Sequence, residues 1–83
     1  MKQTFYDFMV TNYREDDSPH GDFVRDVMDD EDYPRDTNNR YEIIKYLYGA
    51  GAINQAVKAF NELFNIWFDE QIRHELKGEN DER

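Results

Sequence analysis

Between residues 53 and 68 the chain reads INQAVKAFNELFNIWF, with Ile53, Ala56, Val57, Phe60, Leu63, Phe64, Trp67 and Phe68 recurring at intervals of three and four. A helix of 3.6 residues per turn gathers such positions onto one face, so a long amphipathic helix is predicted over about 52–77. The pattern weakens through Ile72 and Leu76, and Gly78 is placed to end it. Trp67 and Phe68 are adjacent and point about 100° apart, so only one of them can sit at the centre of the stripe. A face this rich in rings needs covering, and the rest of the chain has to supply the cover.

Three shorter segments do so, again with apolar residues at helical spacing and no sustained alternation that would indicate a strand. Thr4 caps the first, with Asp7 three residues on, and Phe5, Phe8 and Met9 share a face as far as about Tyr13. Ser18 followed by Pro19 is an N-cap with proline at the first helical position. That second helix buries Phe23, Val24, Val27 and Met28 and ends before Pro34. Asp36 or Thr37 caps a third, carrying Tyr41, Ile44, Leu47 and Tyr48, and the glycines of YGAG suit a left-handed C-cap. The turn around GAG has room for one further helical turn. With 83 residues there is one core, over 1–77, and the charged end 78–83 is expected to be a disordered tail.

The second helix also carries most of the charge. Ten acids and three arginines lie between Arg14 and Asp36, so this segment supplies seven of the nine net negative charges. Asp22, Asp26, Asp29 and Asp30 fall on a side away from the apolar stripe, and Glu31 and Asp32 extend the run. Carboxylates at a helix C-terminus oppose the macrodipole, so the run weakens that end. An EF-hand loop needs a central glycine and a glutamate at its twelfth position, and DDEDYPRDTNNR has neither. No metal or other cofactor is expected. Paired carboxylates acting as acid and base need at least one shielded from water, and these sit in hydrophilic sequence, so no enzyme is expected.

Net charge of −9 disfavours phosphate backbones and anionic lipid, and no run of apolar residues is long enough to cross a membrane. Without cysteine there is no disulfide framework, which fits a cytoplasmic location. His20 and His74 have no companions at ligand spacing and read as surface histidines. Lys45, Lys58, Arg73 and Lys77 are scattered among acids and form no basic stripe.

FYDF at 5–8, FVRDVMDDEDYPRD at 23–36, YEIIKYL at 41–47 and FNELFNIWFDE at 60–70 resemble the YozE SAM-like family of short proteins, found mostly in Firmicutes and their mobile elements. The matching positions are Phe5 and Tyr6, Asp30, Tyr33-Pro34-Arg35, Tyr46-Leu47 and Phe60. Asn61 stands where the family has an acid, and Tyr33 where phenylalanine is commoner. The resemblance implies a sterile-alpha-motif-like helical fold and no established activity.

The expectation is therefore an all-α, compact SAM-like bundle of four to five helices with a long C-terminal helix. Its expected role is non-enzymatic: binding a basic protein, such as one that handles nucleic acid, through Asp22, Asp26, Asp29, Asp30, Glu31 and Asp32. Nucleic-acid binding through a helical turn and scattered lysines is the first alternative. Self-association through end surfaces, as SAM-like domains do, is the second.

Overall fold

Each of the first three helices opens on a side chain that accepts an N–H of its own first turn. The computed structural model of the chain describes residues 3–81, with side chains through Glu75. Its elements are α1 (Phe5–Tyr13), α2 (Pro19–Asp29), α3 (Arg40–Gly49) and α4 (Asn54–Asp81). Thr4 Oγ1 accepts from Asp7 N at 3.1 Å, Ser18 Oγ from His20 N at 3.2 Å, and Asn39 Oδ1 from Glu42 N at 3.1 Å. These bonds satisfy donors that a helix start otherwise leaves without partners. The described residues form an all-α bundle of four helices, with no fifth element in the GAG turn.

The core is a ring cluster with Phe5 at its centre. Phe5 is fully buried and meets Phe60 edge-on at 5.7 Å, Phe64 at 5.1 Å and Trp67 at 5.8 Å. Phe8, Met9, Phe23, Val24, Val27, Ile43, Leu47 and Leu63 close around it. The start of α1 is fixed from a distance, because Phe5 N donates to Asn38 Oδ1 at 2.9 Å across 33 residues of sequence.

Two glycines are required where they stand. A Cβ on Gly21 would lie 1.8 Å from the Asp16 carbonyl oxygen, so the α1–α2 loop rests directly on the α2 backbone. Gly51 has φ of +82° and closes α3 as a Schellman motif, with Ala52 N donating to Leu47 O at 2.9 Å and Gly51 N to Tyr48 O at 3.1 Å.

Several expected positions move. The cap of α3 is Asn39, with Thr37 behind it: Thr37 Oγ1 accepts from Asn39 N at 3.0 Å and donates to Glu42 Oε1 at 2.8 Å. The buried face of α3 is Ile43 and Leu47, whereas Tyr41 is 72% exposed and Tyr48 is exposed as well. A ten-residue helix with one neighbour needs only an i, i+4 aliphatic pair, and tyrosines keep their hydroxyls in water. Met28 is half-buried. Helix α4 begins at Asn54, leaving Ile53 in the turn and 67% exposed. Trp67 takes the centre of the stripe, and Phe68 and Ile72 face outward. Nor does α4 stop at Gly78: it continues to Asp81, so the expected disordered tail is helical over 78–81, and residues 82–83 lie outside the described residues. Glycine inside a helix costs about 1 kcal/mol relative to alanine, which biases a helix without ending it.

Candidate protein-docking surface

Ser18 and Pro19 set where α2 begins, and that phase decides which way its acids point. At about 100° per residue, Asp22, Asp26 and Asp29 fall within roughly 60° of one another, on the side away from Val24 and Val27. All three are exposed, while Phe23, Val24 and Val27 are buried. Glu31 and Asp32, in the turn that follows, are exposed as well. Within the described residues no cation pairs with Asp26, Asp29, Glu31 or Asp32, and only Asp22 has one, Arg25 at 2.7 Å.

Asp30 belongs to the framework more than to this surface. It is half-buried and ends α2: its N–H bonds Val27 O at 3.2 Å and its Oδ1 accepts from Asp32 N at 3.0 Å. Its Oδ2 accepts from the Tyr46 hydroxyl. That bond to a carboxylate pushes the Tyr46 phenol up to about 12. The turn is thus latched to α3, and the five exposed acids are presented from a fixed base.

The arginines among these acids are bonded within the chain. Arg25 spans Asp22 and the α1–α2 loop, donating to Arg14 O at 2.8 Å and Asp16 O at 3.0 Å. Arg35 lies 4.9 Å over the Tyr6 ring and donates to Met28 O at 3.0 Å. This bond satisfies a carbonyl at the end of α2 and sets a cation there, offsetting the weakening expected from the acidic run. The Pro34-Arg35 step just past the helix was the available sequence signal for it. Nothing local signalled the Tyr46–Asp30 latch, which joins residues 16 apart.

Beneath the turn, Tyr33 is buried between Tyr6 and Tyr46, with ring centres 6.0 Å from each. Burial raises its phenol well above the usual tyrosine range. At the other end of α2, His20 is not a lone surface residue. Its Nε2 lies 2.7 Å from Glu62 Oε1, and its ring meets Tyr13 edge-on. The bond from His20 holds the Glu62 carboxyl below its ordinary value, and the Ser18 backbone N–H does the same for Asp16. These contacts pin the start of α2 to α4. Among the described residues no three acidic or imidazole side chains converge to hold a metal ion, and no helix is long and apolar enough to cross a membrane.

The family model described as the YozE SAM-like fold matches residues 4–67, from the cap of α1 to the last buried ring of α4. No curated protein and no solved structure matches the chain.

Proposed function

The chain belongs to the YozE SAM-like family, and from that premise we propose that it is a non-enzymatic interaction module of the cytoplasm that docks a basic protein on the acidic side of α2. The observation that carries this reading is the set Asp26, Asp29, Glu31 and Asp32: exposed carboxylates of α2 and the turn that follows it, with no cation paired to them among the described residues. Concentrated charge of one sign steers partners of the other and raises their encounter rate. A basic protein that ordinarily holds a phosphate row meets a comparable row here.

The disposition of the arginines favours this reading over direct nucleic-acid binding. Arg25 and Arg35 are bonded to backbone carbonyls and stand among carboxylates. Phosphate recognition asks for clustered cations free to turn outward.

Affinity capture from a bacterial lysate, run with the wild-type chain and an Asp26→Asn/Asp29→Asn/Glu31→Gln variant at low and moderate salt, tests the proposal. A basic protein retained by the wild type at low salt, and lost both with salt and with the variant, supports it. Equal retention by both chains contradicts it.

A further inference from the structure

A second surface is lined by the C-terminal half of α4 and the start of α3, and by none of the acids of α2. Trp67 is the last buried residue of α4 among those whose side chains are described, and from Phe68 the helix is largely exposed. A helix standing alone over so few turns is marginal in water and gains most of its stability from packing. Yet its stripe continues outward, with Phe68 53% and Ile72 43% exposed. Together with Phe64, Tyr41 and Arg40 at one end and Glu75 at the other, they line an open groove of about 600 Å³.

The groove has a polarity that reverses onto itself. Arg40 is held level with Asn61 and Asn65 by its bonds to both, and lies 5.8 Å over the Phe64 ring. Glu75 lies ten residues beyond Asn65, about 15 Å further along the helix. Between them come the apolar rows, Phe68 stacked on Phe64 at 6.5 Å, then Ile72, with the uncharged Gln71 beside them. A basic partner would be served by carboxylates at both ends. One cation and one anion flanking an apolar centre instead match a second copy of the same strip turned end for end.

We propose that two copies of the chain pair antiparallel along α4 about a two-fold axis between Phe68 and Ile72. In that register Phe68 of each copy packs on Ile72 of the other, and Glu75 of each lies level with Asn65 of the other, within reach of its Arg40. Two of the five guanidinium N–H donors of Arg40 are used within the chain, so others remain for a carboxylate. Such an interface is isologous, and each polar contact occurs twice. It uses residues 40–41 and 64–75, none of them an acid of α2, and leaves those acids open in the pair.

Sedimentation at several concentrations and physiological ionic strength tests this, with a charge exchange as the decisive step. The wild type should show a monomer–dimer equilibrium. Arg40→Glu and Glu75→Arg should each weaken it by at least about tenfold, and the chain carrying both should return to within about threefold of the wild type. Ile72→Asp, at an exposed position outside the core, should abolish the dimer while the urea unfolding of the monomer core is unchanged. A wild type that stays monomeric at millimolar concentration overturns the proposal. So does a dimer that the single reversals leave intact, or one that the exchange fails to restore.

Discussion

The Tyr46 hydroxyl donates to the Asp30 carboxylate, which ties the turn after α2 to the middle of α3 and takes one acid out of an otherwise open surface. The bond has a signature at alkaline pH. Below about pH 10 the phenol keeps its proton whether the chain is folded or not. Between about 10 and 12 the unfolded chain releases a proton that the folded chain retains, so stability falls as pH rises through that window. Tyr46→Phe should make the fall shallower, as urea unfolding at several alkaline pH values would show. An equally steep loss in the variant would mean that the latch contributes nothing.

Asn38 accepts the first N–H of α1. Asn38→Ala leaves that donor without its partner beside a fully buried Phe5 and should cost about 1 kcal/mol, the typical loss for a cap. Asp36→Ala, in the loop that leads to it, should stay within about 0.5 kcal/mol. Chemical denaturation of the two variants separates them.

The two glycines should respond for different reasons. Gly21→Ala places a methyl where the Asp16 carbonyl oxygen lies, so the α1–α2 loop must lift and the variant should be strongly destabilised. Gly51→Ala meets no neighbour but must hold a left-handed backbone, at a cost of about 1–2 kcal/mol. Thermal melts should rank them in that order, and a Gly21→Ala chain as stable as the wild type would refute the close approach.

Phe60 and Phe68 sit two turns apart in α4 with opposite fates. Phe60→Ala empties a fully buried site and should cost about 3–5 kcal/mol, a large share of what a small domain has. Phe68→Ala should leave the stability of the monomer nearly unchanged, because its ring is half in solvent. Unfolding below the concentration at which chains associate makes the comparison clean.

The contrast between these two rings also marks how far the sequence was legible. Where burial follows from periodicity alone, as at Phe5, Val24, Phe60 and Leu63, the spacing was sufficient, and Thr4, Ser18 and Gly51 announced their helix ends through local backbone chemistry. On the face of α3 Leu47 was expected and is buried, but Ile43 was missed because Tyr41, Ile44 and Tyr48 fit a helical stripe as well as it does. Only the single neighbour, α4, decides between them. The acids of α2 could be placed on one side from their spacing, but the removal of Asp30 by Tyr46 could not, since that contact depends on how α3 returns across the turn. Arg40 was legible only as a cation near a helix start. Its alignment with Asn61, Asn65 and the Phe64 ring appears once α3 and α4 are packed.

The most direct test of the docking surface compares two changes of equal charge at different places. Asp26→Asn/Asp29→Asn neutralises the outer side of α2, and Asp7→Asn/Glu70→Gln removes the same two charges from exposed positions elsewhere. Titration calorimetry with a lysine-rich peptide, repeated over a range of salt, should show the α2 pair weakening binding by about tenfold or more while the control pair changes it by less than about threefold, with wild-type affinity falling as salt rises. Equal losses from the two pairs, or an affinity indifferent to salt, would contradict a localised acidic docking surface.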